Sequence, residues 1–321
     1  MDQAMPGVTR SWTVPAARPD VRVDTFVREC LPHLSRRQVD EAVRDGLFSR
    51  GGNVSRKGDQ LTGGDILVFN GPAQWLAAQP SSDGTLGVPV VYEDAAILIV
   101  DKPAGMATHG FSGRDAGTVA NFIAAKHSAL LAVGKSRWEP GIVHRLDRET
   151  SGLVLLAKTQ AAFDELRRQF RERRIMKTYW ALVWGTTSAE GVIDLPLAHD
   201  SRDRRRMSAA ATSSRKKTNK TWKAVTRYRK LGESQGLTLV QIEMATGVTH
   251  QIRVHMATIG HPIVADALYG AEHSQTFGLK RHFLHAMALE FRHPDHGCEF
   301  QVKARLPDDL RKVLRRLRIK I

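Results

Sequence analysis

The stretch from Ile142 to Thr159, IVHRLDRETSGLVLLAKT, sets a polar loop, HRLDRETS, between two short apolar runs, GIV and GLVLLA. Apolar runs of this length are the pattern of buried strands. Two of them so close together draw the chain into a sheet and clamp the loop between them, and a clamped loop can aim one side chain. At the middle of that loop is Asp147, with Arg145 and Arg148 on either side. The plain alternative for an isolated Asp-x-x-Thr is a structural aspartate that caps its turn or pairs with Arg145.

The rest of the chain supplies the partners such a sheet needs. Val90 to Tyr92 and Ile97 to Val100 read as strands around an acidic turn, and KTYWALVWG and GLTLVQIEMATG read as two more. Helical spacing is expected from about Thr118 to Ala132. A basic amphipathic helix is expected from Ala161 to Arg174, with Phe163, Leu166 and Phe170 inward. A last helix, PDDLRKVLRRLRIKI, opens on Pro307 with two acids in its first turn.

Ahead of this region the pattern differs. Residues 1 to 20 hold three prolines and no sustained periodicity, and are expected to be an irregular tail. From residue 21 to 69, Val23, Phe26, Val27 and Leu31 have helical spacing. Pro32 breaks it, Ser35 is placed to cap a second helix carrying Val39, Ala42 and Val43, and Gly46 can close it. Glycine pairs and DILVF then suggest short strands. Arg36 and Arg37 open the second helix, where positive charge opposes the helix dipole, so they are expected to serve an external anion. Residues 70 to 89, rich in Gly, Pro and Ser, read as a linker to a domain spanning 90 to 321.

Charge narrows the function. Lys and Arg number 48 against 33 Asp and Glu, a net +15 that attracts polyanions, nucleic acid first among them. Neither an 18-residue apolar run nor a leader peptide is present, so no membrane role is expected. The two cysteines, Cys30 and Cys298, lie far apart, which suits reduced thiols in a cytoplasmic protein. The His-Glu-x-x-His motif, the phosphate-binding glycine loops and the Gly-x-Ser-x-Gly elbow are all missing, so zinc, nucleotide and serine-hydrolase sites find no support. The stretch Asp200 to Thr221, DSRDRRRMSAAATSSRKKTNKT, is expected to be an exposed loop or hairpin that RNA could order.

HRLDRETSGLVLLAKT resembles the catalytic signature of the RluA-type RNA pseudouridine synthases. Three further blocks of that family follow the same order in this chain: YEDAAILIVDKPAGMATH, KTYWALVWG and TGVTHQIRVHMATIGHPIVADALYG. Residues 21 to 69 resemble the ribosomal-protein-S4-type RNA-binding module through Arg22, Val23, Asp24, Ser35, Arg36, Gly46, Gly64, Asp65 and Ile66, although Gly-Gly-Asn stands where that module usually has Asn-Gly. The resemblance implies an α+β fold, a catalytic domain on a mixed, mainly antiparallel sheet, with a small S4-type α/β module in front. It implies an isomerase acting on uridine in RNA, ribosomal RNA before transfer RNA, as a monomer with no cofactor and no metal. A non-catalytic RNA-binding or ribosome-assembly protein retaining the fold is the alternative.

Carried over residue by residue, the catalytic aspartate falls on Asp147. The active-site tyrosine, which stacks on the base and is proposed to remove a proton, falls on Tyr179. The basic partner of the aspartate falls on Arg253, expected from a distant strand. A guanidinium beside a carboxylate keeps it ionised and oriented. Asp147 would attack the ribose anomeric carbon or help abstract a ribose proton. The base must be flipped out for either route, and Arg145 is expected to fill the vacated space or clamp a phosphate. His144, Lys177, His250 and Gln251, from the same blocks, are expected with Arg36 and Arg37 to contact RNA. Val248 departs from the family, which commonly has an arginine there.

Overall fold

The structure, a computed structural model, describes residues 7–203, 205–210 and 220–320. A nine-stranded sheet organises the larger part. Glu190–Asp194 lies at one edge, followed by Val225–Ser234, Leu237–Met244, Met176–Trp184 and Leu284–Arg292. Ser151–Ala157, Ile97–Lys102 and Val90–Glu93 complete the order, and Glu299–Lys303 pairs with Leu284–Arg292. All pairings are antiparallel except the parallel contact of Leu284–Arg292 with Ser151–Ala157. That contact spans only His285↔Ser151 and Ala286↔Gly152. Beyond it the strand takes Glu299–Lys303 as its neighbour instead. The sheet is thus split where the Asp147 loop enters it.

Buried apolar residues explain the elements. Every residue of Ser151–Ala157 is buried, as the run SGLVLLA requires. Helix Gln160–Arg171 buries Phe163 and Leu166 against that strand's side of the core, with Thr159 capping its first turn. The region expected to be helical near Thr118 forms helix Val119–Lys126 with a capping box of Thr118 and Asn121, then a short 3-10 segment, Ser128–Ala132. Helix Asp308–Leu317 packs Leu310, Val313, Leu314 and Leu317 into the main core.

The first part of the chain has a separate core, built from Val23, Phe26, Val27, Val39, Val43, Phe48 and Phe69 among others. Helices Val23–Cys30 and Arg36–Arg44 lie beside a four-stranded sheet, and Ser35 forms a capping box with Gln38. Gly51 and Gly52, at φ 54° and 81°, form the two-residue turn between Arg50 and Asn53, a left-handed pair that suits a tight hairpin. The expected irregular tail is corrected here. Gly7–Thr13 is a strand paired along its whole length with Ile66–Pro72. Its mostly exposed sequence, GVTRSWT, offers only Val8 and Trp12 to the first core, too few to mark a strand, and the rest of its hold is backbone pairing to a distant segment. Residues 70 to 89 are also less uniform than a linker, since Trp75 is buried in the first core. Of the basic stretch 200 to 221, Met207–Ala209 and Thr221–Trp222 are strands on either side of Leu197–His199. Residues 204 and 211–219 lie outside the described residues.

The two parts meet through a loop that precedes helix Val119–Lys126. Arg114 makes two hydrogen bonds to Glu41, at 2.9 and 3.1 Å, and its guanidinium lies 3.8 Å from the centre of the Trp75 ring. Gln38 donates to the carbonyl of Phe111 at 3.3 Å.

Candidate active site

Asp147, Tyr179 and Arg253 converge on one cleft of about 680 Å³, a size that fits a nucleoside. Asp147 comes from the loop ahead of strand Ser151–Ala157; the upstream run GIV, expected as a strand, makes only an isolated bridge from Ile142 to Leu156, so a strand holds the loop at its downstream end alone. Tyr179 comes from strand Met176–Trp184, and Arg253 from helix Gln251–Thr258. The expectation that Arg253 sits on a strand is corrected. The reason is visible in the burial: six consecutive residues of that helix, Gln251 to Met256, are buried, so no polar face marks it as helical. His250, in the left-handed conformation at φ 56°, turns the chain into the helix.

The guanidinium of Arg253 is held before it meets Asp147. Its Nε and Nη2 donate to Asp266 at 2.7 and 2.8 Å, a bidentate pair, and its Nη1 donates to Asp147 Oδ2 at 3.1 Å. The Asp266 side chain is fully buried, and its Oδ1 also accepts from the N–H groups of Leu268 and Tyr269. Burial opposes the Asp266 charge, but the hydrogen bonds from Arg253 outweigh it and hold the carboxyl below its ordinary range. For Arg253 burial is likewise outweighed by Asp266 and Asp147, and its pKa rises. Asp266 therefore fixes the plane of the guanidinium and leaves one edge free to orient Asp147. The sequence reading missed Asp266; its only signal is a lone acid inside the apolar run PIVADALY.

Tyr179 is buried beside this pair. Burial first, then the nearby Asp147, pushes its phenol above the ordinary tyrosine range. Proton removal by a phenolate would work against that field, whereas stacking on a base does not depend on it.

The residues expected at RNA divide into two groups. Arg145 and His250 line the cleft, and among the described residues no ion pair joins Arg145 to Asp147. His250 Nε2 is 3.8 Å from Asp147 Oδ2, and its Nδ1 is 2.9 Å from the Tyr269 hydroxyl. His144, Lys177 and Gln251 line the cleft as well, and each also bonds the protein interior. His144 Nε2 accepts from Leu155 N–H at 2.9 Å, and buried Lys177 donates to the Thr246 carbonyl at 2.6 Å. Gln251 donates to Val225 O, Thr226 Oγ1 and Thr246 Oγ1 and accepts from Val248 N–H. A motif names the side chain but not the carbonyl waiting for it. Arg36 and Arg37 are exposed on the first core and do not line the cleft. The cleft rim instead carries Lys135, Arg171, Arg173 and Lys223, all exposed, which suits phosphate. Val248, in place of the family arginine, lines the cleft and packs on the small core around Leu197 and Met207.

Two histidines pin the downstream end of the Asp147 loop. His282 Nε2 lies 2.8 Å from Thr150 Oγ1, and His285 Nδ1 lies 2.8 Å from Ser151 Oγ. Burial above all depresses His282 to about 4 and His285 to about 3. With an unfolded value near 6.5, the unfolded chain binds more protons than the folded one in the window between. Stability is then complete above pH 6.5 and falls as the pH drops toward 4. At pH 5 the two residues together are expected to remove about 4 kcal/mol, from 1.36 kcal/mol per pH unit for each. Buried His144, also depressed to about 3, adds a loss in the same window, and denaturant unfolding at pH 7.5, 6 and 5 measures the sum. The loss begins above the carboxylate range, and an equal midpoint at pH 7.5 and 5 would contradict it.

Asp94, His293 and His296 also come together, with potential ligand atoms within 4.8 Å. Asp94 accepts from Ala96, Ile97, Tyr92 and His293, so its oxygens are already satisfied without an ion. No helix among the described residues is long and apolar enough to cross a membrane.

Comparison with known proteins decides the class. Residues 96–258 match the family model described as RNA pseudouridylate synthase. The chain belongs to that family. It is an RNA pseudouridine synthase, an isomerase that converts uridine in RNA to pseudouridine. It is 32% identical to ribosomal large subunit pseudouridine synthase D of Xylella fastidiosa, over 99% of this chain and 95% of that protein. It is 38% identical to an uncharacterized RNA pseudouridine synthase of Chloroflexus aurantiacus, over 95% of this chain and 92% of that protein. The solved structure of human RNA pseudouridylate synthase domain containing 4 covers 73% of this chain and 94% of its own, with 26% identity and a TM-score of 0.56. The mixed sheet is thus the sheet of a pseudouridine synthase fold.

Proposed function

We propose that this synthase modifies ribosomal RNA, with transfer RNA as the second candidate substrate, and that Asp147 is the carboxylate that acts on the ribose of a flipped uridine. The observation that carries the reading is the hydrogen bond from Arg253 to Asp147 at 3.1 Å in a cleft that Tyr179 also lines. Attack on the anomeric carbon and abstraction of a ribose proton both use the carboxylate from that position. The exposed cations that line the same cleft support an RNA backbone as the substrate's handle. The name of the Xylella relative supports ribosomal RNA.

Arg145 is exposed at the cleft with no acidic partner among the described residues, which supports its insertion into the space the base leaves. Arg145→Ala is expected to lower turnover on structured RNA more than on a short unstructured substrate. Equal losses on both would instead make it a phosphate clamp. Residues 21–69 are proposed to be an S4-type RNA-binding module, on the support of the two helices, the Ser35 capping box and the exposed Arg36 and Arg37. The free thiols of Cys30 and Cys298 fit a reducing, cytoplasmic setting.

The test is a pseudouridine map of total RNA from cells with and without the gene. Ribosomal sites should disappear and return with the wild-type gene but not with Asp147→Ala. Loss confined to transfer RNA would overturn the substrate, and an unchanged map would favour an RNA-binding protein that retains the fold.

A further inference from the structure

The two peptides that flank Leu146, the second of them leading into Asp147, share a single holder. Thr108, itself buried, donates its hydroxyl proton to the carbonyl of Leu146 at 3.1 Å and accepts from the N–H of the same residue at 3.1 Å. No other hydrogen bond reaches the main chain of Leu146 among the described residues. One hydroxyl, with one proton and two lone pairs, serves both groups. The Leu146 carbonyl belongs to the peptide that leads into Asp147, so its orientation sets where the Asp147 side chain departs.

Thr108 is held in turn. Its carbonyl accepts from Ala120 N–H at 3.1 Å, and Ala107 O accepts from Val119 N–H at 3.0 Å. Both contacts fall at the start of helix Val119–Lys126. On the other side of Asp147, the Arg148 carbonyl accepts from Gly105 N–H at 2.9 Å and from Lys102 Nζ at 3.1 Å. Lys102 is fully buried and also donates to the carbonyls of Pro103 and Met106. Burial pulls its ammonium down to about 7, yet three donors on three carbonyls is the arrangement of the charged form. Residues 102 to 108 thus grip the loop on both sides of Asp147, and Thr108 is the grip that acts through a side-chain hydroxyl.

We propose that Thr108 is a positioning residue for the isomerisation, fixing the aim of Asp147 by locking the Leu146–Asp147 peptide. The inference rests on Asp147 being the catalytic carboxylate. Binding of RNA depends on the cations of the cleft rim, which Thr108 does not touch, so the effect belongs to kcat and not to KM. Displacement of a reacting group by about 1 Å costs up to roughly 100-fold in rate.

Four variants test this on a fixed RNA transcript, with thermal unfolding beside the kinetics. Thr108→Val, which keeps the shape and removes the hydroxyl, should lower kcat about 10-fold or more with KM unchanged. Thr108→Ala should do the same. Thr108→Ser, which keeps the hydroxyl and loses only a methyl group, should retain wild-type kcat. Asp147→Asn is the control: activity there would remove the reading of the site itself, whereas an inactive Asp147→Asn beside a fully active Thr108→Val overturns only the positioning role. A Thr108→Ser loss equal to that of Thr108→Val would assign the effect to packing and also overturn it. Failure of both the valine and alanine variants to fold would assign Thr108 to stability alone, and the positioning role would fall with it.

Discussion

Asp147→Asn is expected to leave the protein folded and to reduce pseudouridine formation by at least about 1,000-fold, the scale of losing a positioned reacting group. The substitution is nearly isosteric. The amide oxygen can still accept from Arg253 Nη1, and Arg253 keeps its two hydrogen bonds to Asp266. No buried charge is therefore stranded, and the unfolding midpoint should move by no more than about 2 °C, as for a change of a few tenths of a kcal/mol. What is lost is the carboxylate that must react with, or take a proton from, the ribose. Product yield on a single transcript, measured beside the melting curve, separates the two effects. Wild-type yield from Asp147→Asn would remove this residue from the reaction.

Arg253→Met should damage both stability and turnover, and the two losses should separate when a second substitution is added. Removing the guanidinium strands the Asp266 carboxylate, whose side chain is fully buried. Breaking one partner from a buried pair costs about 3–5 kcal/mol. It also leaves Asp147 without the donor that orients it, so turnover should fall by about 100-fold or more. Adding Asp266→Asn removes the stranded charge while its amide oxygen still accepts from Leu268 and Tyr269 N–H. The double variant should regain most of the stability and none of the turnover. Denaturant unfolding with transcript assays measures both; a double variant no more stable than Arg253→Met would show that Asp266 is not compensated by Arg253.

Much of this site is readable one residue at a time. The Asp147 loop declares itself because its flanking strand, SGLVLLA, is buried at every position and cannot be mistaken for a surface segment. Helix Arg36–Arg44 is equally plain, since Ser35 caps it and Val39, Ala42 and Val43 repeat at its spacing. The helix bearing Arg253 is not plain, because burial all round erases the periodicity that marks a helix. Strand Gly7–Thr13 escapes for the opposite reason: it is largely exposed, with only Val8 and Trp12 packed on the first core, and its pairing with Ile66–Pro72 supplies the rest. Lys177 and Gln251 line the cleft, but nothing in their own motifs shows that Thr246 and Val225 also hold the ends of their side chains.

The order of residues establishes which chemical groups the molecule owns and where most of its regular elements lie, because side-chain chemistry and apolar periodicity are local properties of the chain. It takes the folded arrangement to bring Arg253 to Asp147 across 106 residues, to stand Asp266 behind it, and to turn some cations toward the cleft while others serve carbonyls inside. Those outcomes depend on two distant surfaces meeting and excluding water, and neither surface carries the imprint of the other in its own residues.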